Sequence, residues 1–290
     1  MAILLLKPHL REVGANQVRR LLPAAQRQAV GPFLFFDHFG PVDIAPDSDR
    51  GIGPHPHIGL ATVTYLFEGG FLHRDSLGSV QRIDPGAINW MTAGRGIVHA
   101  ERTPPELVGK RHRGHGLQLW AGLPKTQERS EPAFSHTPAA ALPALGVGDA
   151  QVRLLIGRAW GAESPVATFT ETLYADLELR APGELRVPPL AAERALYSVD
   201  NPFAIDGTPC EPRVMAILET GTTARVTAAG PARMVLIGGE PLDGHRFMWW
   251  NFVASRKEWI AEAADLWAKQ EMGKIAGETE WIPLPERGFK

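Results

Sequence analysis

Four residues in two short stretches carry most of the chemistry open to this chain. Pro54-His55-Pro56-His57 offers two imidazoles one residue apart. Gly94-Arg95-Gly96-Ile97-Val98-His99-Ala100-Glu101 offers an imidazole and a carboxylate at the same spacing. Side chains at i and i+2 leave a β-strand on one face. Two such strands facing one another would gather His55, His57, His99 and Glu101, enough to hold one divalent transition metal. Imidazoles with one carboxylate and no thiolate suit Fe(II), Mn, Ni, Cu or Zn. Structural zinc usually recruits several cysteines, and the chain has only Cys210. Four protein ligands on an octahedral metal leave two positions for water, dioxygen or a bidentate organic molecule. On spacing alone, the competing reading is a set of histidines satisfied by hydrogen bonds in a core.

Those pairs need strands to present them, and the composition supplies strands. The chain has 290 residues, 44% hydrophobic and 21% charged, so it can bury one large or two medium cores. Its 30 Gly and 25 Pro cut it into short runs rich in β-branched residues, the pattern of a sandwich or barrel. Expected strands include residues 59–67, 117–120, 151–156, 172–179, 213–218 and 233–238. Between Glu128 and Asp149 the composition turns to Pro, Ala, Ser and Gly, which suggests an irregular crossing. That places two domains at 1–137 and 138–290. One helix is expected late, from a capping box at Ser255-Arg256-Lys257-Glu258 and a stripe through Trp259, Ala263, Leu266, Trp267 and Gln270. An extended tail anchored by Trp281 should follow Gly273.

Several function classes drop out. A net charge of -2 gives no bulk attraction for nucleic acid, and Lys110-Arg111-His112-Arg113 is the one obvious basic patch. The apolar run at residues 2–6 is too short to span a membrane and lacks the marks of a secretory leader, so it reads as an edge strand. With a lone cysteine, that suits a cytoplasmic protein. Gly94-Arg95-Gly96 lacks the Lys-Ser/Thr of a phosphate loop and reads as a turn delivering His99.

Four longer stretches carry a resemblance. Gly53-Pro54-His55-Pro56-His57, His73-Arg74-Asp75-Ser76-Leu77-Gly78, the run Trp90 to Glu101, and His115-Gly116-Leu117-Gln118-Leu119-Trp120 together resemble the pirin family. Gly31-Pro32-Phe33 and Phe36-Asp37-His38-Phe39 extend the likeness, which covers roughly residues 31–125. It implies an all-β bicupin: two antiparallel β-barrel (cupin or jelly-roll) domains face to face, with a C-terminal helix. The N-terminal barrel of such a protein holds one metal, usually iron, and the family's four ligand positions fall on His55, His57, His99 and Glu101. The second half has only His245, in keeping with a metal-free cupin. Asp37 and His38 are expected to hydrogen-bond the ligand imidazoles, and His73, Asp75 and Gln118 to line the pocket. Family members commonly carry a glutamate where this chain has Ala61, which leaves Glu101 as the candidate base. Two functions follow as expectations. The first is a dioxygenase cleaving a flavonol such as quercetin. The second is a metal- and redox-dependent binding protein acting on a regulatory or metabolic partner.

Overall fold

The computed structural model describes residues 3–48, 50–180 and 182–289. Its elements are short strands between Gly and Pro turns, with one α-helix, Lys257–Ala268. They pack as two compact units. One comprises Met1–Leu10, Arg19–Asp37 and Ala140–Pro241; the other comprises Arg11–Val18, His38–Ala139 and Leu242–Lys290. The expected junction at 137/138 lies two residues from the change of unit at 139/140. The stretch from Leu242 onward packs with His38–Ala139, whereas the sequence grouped it with the second half.

The unit containing His38–Ala139 holds a four-stranded sheet in the order Ile52–His57, Ile97–Arg102, Phe71–Asp75, Val80–Ile83. A seven-stranded sheet runs Ala133–Thr137, Ile88–Thr92, Leu60–Glu68, His112–Gly122, Phe33–Ile44, Asn16–Leu22, His9–Val13. The other unit repeats the plan. Its seven-stranded sheet begins at the edge strand Leu4–Leu6, paired with Met215–Ile217, and its four-stranded sheet contains Gly183–Val187, Ala224–Ala228, Phe203–Ile205 and Thr208–Cys210. Among the described residues the strand orders are open at both ends, so strand pairing closes neither expected barrel. No described helix is long and apolar enough to cross a membrane.

Two turns that deliver the metal-type residues require glycine. Gly59 has φ +68, and a Cβ there would sit 1.9 Å from the Val253 carbonyl oxygen. Gly94 has φ +52, and a Cβ would lie 2.1 Å from the Ser130 carbonyl oxygen. Only a residue without a side chain accepts both the backbone angle and the approach. The expected crossing at 128–149 is more ordered than its composition suggests. It contains the strands Ala133–Thr137 and Ala144–Val147 around a 3-10 turn at Ala139–Ala141. Pro138 and Pro143 end those pieces early enough to hide them in the sequence.

The helix forms where expected, but its cap and its buried stripe differ. Its N-cap is Arg256 with no side-chain cap, because the Ser255 hydroxyl donates instead to Glu128 Oε2 at 2.6 Å. Glu128 is buried and also pairs with Arg246 at 2.6 Å. A buried carboxylate costs more to leave bare than a helix end that water can reach. The buried positions are Ile260, Ala263 and Trp267, packed with Ile58, Val98 and Ala100 from behind the four-stranded sheet. Trp259 and Leu266 are half-buried and Gln270 is exposed. In the tail, Ile275 is the buried anchor; Trp281 is 38% exposed and lies edge-on to Trp267. Trp267 also donates from Nε1 to the Ile282 carbonyl at 2.9 Å. Trp267→Ala should therefore cost about 3–5 kcal/mol in urea unfolding, as large core truncations do. A loss under about 1 kcal/mol would show that the helix contributes little to this unit.

Candidate metal centre

The two short motifs meet because their strands pair antiparallel. His99 lies opposite His55, and Ile97 opposite His57. Between His99 and Glu101 the register slips, so that Glu101 faces Ile52 and both Gly53 and Pro54 stand opposite Ala100. That bulge has a chemical effect. It turns the Gly53 carbonyl toward His55 Nδ1, 2.8 Å away. A carbonyl only accepts, so Nδ1 carries the proton and Nε2 keeps its lone pair. His57 is fixed the same way by the Asn251 carbonyl, at 3.1 Å from its Nδ1. The three imidazoles of His55, His57 and His99 offer nitrogens all within 4.8 Å of one another, and all three residues are buried.

Glu101 stands beside this cluster. Its Oε1 lies 3.8 Å from His99 Nδ1. Among the described residues, both ring nitrogens of His99 and Oε2 of Glu101 are buried without a hydrogen-bond partner. Buried polar atoms left bare cost about 1–3 kcal/mol each, so such a group calls for a partner of its own. Three neutral nitrogens converging in this way are donors for a cation, and the three histidines could hold a metal; the Glu101 carboxylate, near His99, stands outside their 4.8 Å group.

The sequence matches the family model described as Pirin over residues 15–121 and the Pirin C-terminal cupin domain over residues 174–273. The chain belongs to the pirin family. It is 39% identical to the Pirin-like protein of Caulobacter vibrioides over 284 residues, covering 95% of this chain and 96% of that one. It is 34% identical to Pirin of Homo sapiens over 260 residues, covering 87% and 86%. A crystal structure named quercetin 2,3-dioxygenase, from Acinetobacter baumannii, superposes with a TM-score of 0.92 at 32% identity, covering 99% of this chain and 96% of that one. The two units of this pirin are thus cupin-type.

The remaining expected residues divide by place. His73 and Asp75 sit on the strand next to that of His99 and Glu101, with Glu101 opposite His73 and His99 opposite Asp75. His73 Nε2 donates to Asp75 Oδ2 at 2.9 Å, and its ring stacks on Phe134 at 4.1 Å. Both lie on the strand Phe71–Asp75, beside the histidine cluster. Gln118 accepts from the Thr64 hydroxyl at 2.9 Å. Asp37 is taken by Arg20, at 2.8 and 2.7 Å, and His38 Nε2 lies 2.7 Å from His115 Nε2; Nδ1 of His55 and Nδ1 of His57 each bond a backbone carbonyl. Cys210 is buried, which pushes its thiol up to about 12 and leaves it unreactive.

Of one wall of the site, sequence reasoning named only Gln118. Trp120, Thr62, Met91 and Phe134 form one cross-strand row of the seven-stranded sheet; Gln118, Thr64, Asn89 and His136 form the next. Trp120 meets His57 at 5.1 Å, and Phe134 meets His73, so this is the face turned to the histidines. Strand alternation therefore sends Ala61 to the opposite face from Thr62 and Thr64. The alternation Phe134, His136 was visible in the sequence. The role of Asn251, which acts through its carbonyl, left no signal.

Burial controls the charges. It lowers His55 to about 4, with His73 adding to the effect against the Gly53 hydrogen bond, and holds His57 and His99 well below the ordinary 6.5. It raises Glu101 to about 7 from 4.5. For Asp75, burial acts upward, but hydrogen bonds from His73 and Ser79 outweigh it and keep the carboxyl low. A lowered imidazole favours folding above 6.5, and that contribution is lost as pH falls; for His55 alone the span is about 3 kcal/mol. A raised carboxyl acts oppositely: its contribution is present below 4.5 and lost as pH rises through about 7. Metal-free protein should thus be less stable to urea at pH 5 than at pH 7. Glu101→Gln, which removes the opposing group, should make that drop steeper, and a shallower drop would contradict the assignment.

Proposed function

We propose that this pirin is an iron(II)-dependent dioxygenase acting on a flavonol, such as quercetin, or a similar chelating diol. The observation that carries the reading is the pair of bare nitrogens on His99 with the bare Oε2 of Glu101, beside His55 and His57 with their tautomers set. His55, His57, His99 and Glu101 would hold the metal, and this nitrogen and carboxylate set suits Fe(II). Bound there, the metal would supply Lewis acidity and a route for electrons from a chelated diolate to dioxygen.

The protein's own part is to bind, orient and move a proton. Trp120 and Phe134 give flat apolar walls against which an aromatic diol can lie. Gln118 and Asn89 on the next row offer amide groups to its hydroxyls. Glu101, the carboxylate of the set, takes the proton of the chelating hydroxyl at Oε2. A glutamate in place of Ala61 would leave the strand on the face away from Thr62, so its absence does not weigh against oxygenase chemistry. The likeness to the Acinetobacter protein named quercetin 2,3-dioxygenase supports the substrate class.

Protein reconstituted with Fe(II) should consume dioxygen when quercetin is added. His57→Ala should abolish this, and Glu101→Gln should lower it about a hundredfold or more. A fully loaded protein that turns over neither quercetin nor another enediol would end the oxygenase reading. Redox-dependent affinity for a protein partner would then be the property to measure.

A further inference from the structure

We infer that residues 275–282 form a strap that sets the geometry of the metal centre from behind, with Glu278 as its positioning residue. The inference rests on the metal-centre reading above and concerns the far face of the same sheet. The strands that send His73, Asp75, His99 and Glu101 to the site send Arg74 and Arg102 out of its back. Register places Ala100 opposite Arg74 and Leu72 opposite Arg102, so the two arginines are diagonal neighbours on adjacent strands. Alone they would repel. Glu278 lies between them: Arg74 Nη1 donates to its Oε1 at 3.1 Å, Arg102 Nε to the same oxygen at 3.3 Å, and Arg102 Nη2 to Oε2.

The Glu278 side chain is only 10% exposed and those of Arg102 and Arg74 are 17% and 27%, so the three charges are mutually dependent. Glu280, which also meets Arg102, is 64% exposed and adds little. The strap reaches the third strand as well. Ile282 N donates to the Pro54 carbonyl at 2.9 Å, within the bulge that turns Gly53 toward His55. Buried Ile275 and the bond from Trp267 to Ile282 tie its two ends to the helix cluster. One segment thus ties together the three strands that carry every expected donor. Loss of Glu278 leaves two half-buried arginines facing each other behind His99 and Glu101, and the strands must shift to part them.

The test uses Co(II), whose visible bands report coordination geometry, titrated into the full-length metal-free protein. Glu278→Gln should bind Co(II) about tenfold more weakly and with altered bands, in the range of partners that orient ligands. Glu278→Asp should recover part of the affinity. Glu262→Gln, which removes the exposed Arg129–Glu262 pair on the helix, should match the parent protein. Parent-like affinity and bands for Glu278→Gln would overturn the strap. No Co(II) binding by the parent protein would instead overturn the metal-centre reading. Should Glu278→Gln fail to fold, hydrogen exchange on the parent decides: coupling is reciprocal, so Co(II) must slow exchange at the Ile282 amide, and unchanged exchange there rejects the proposal.

Discussion

The architecture of this pirin depends on keeping three imidazoles and a carboxylate buried without paired charges. Burial takes His99 and Glu101 away from bulk solvent, which would otherwise satisfy them. Two carbonyls, from Gly53 and Asn251, hold His55 and His57 neutral and correctly turned, and burial itself keeps all three histidines from taking a proton. Each bare polar atom left inside subtracts from the stability of the metal-free chain. Any cation that takes the lone pairs returns that stability, because a ligand that prefers the folded state stabilises it by mass action.

Period two divides the labour on the four-stranded sheet. The strand Ile97–Arg102 turns His99 and Glu101 inward, while Val98 and Ala100 back into the cluster under the helix and Arg102 reaches the tail. The same alternation separates Arg74 from His73 and Asp75 on the neighbouring strand. Chemistry on one face and support on the other are therefore coupled through single residues of backbone. A shift of one register position would exchange the two sets, which is why the bulge at Gly53–Pro54 matters.

Features governed by short-range pattern were readable from the sequence. The His-x-His and His-x-Glu pairs, the strands 151–156, 172–179 and 233–238, and the late helix all follow from local spacing. What failed did so because a distant group competed. Ser255 has the sequence of a capping residue, but Glu128 takes its hydroxyl across 127 positions. Ala61 looked like a lost catalytic position because the family resemblance places a glutamate there. Strand parity turns it away: Ala61 pairs with Ala121 and Thr92, while its neighbour Thr62 pairs with Trp120 and Met91 on the face toward the histidines. Asn251 and Glu278 act on residues 194 and 204 positions away, and no window of sequence contains both ends of those contacts.

The other cupin-type unit shows what the alternation does without donors. Its four-stranded sheet carries Leu185 and Val187, then Ala224, Val226 and Ala228, then Phe203 and Ile205, each set at i, i+2 spacing and all buried in one apolar cluster. These are the counterparts in pattern of His55 and His57, of His99 and Glu101, and of His73 and Asp75. A sheet that buries one face accepts either set sterically, but only the aliphatic set gains stability from burial alone. Six polar side chains in one unit therefore stand where packing would favour hydrocarbon. In a protein that holds an apolar solution to the same geometry in its own second half, their presence is best explained by chemistry rather than by the needs of the fold.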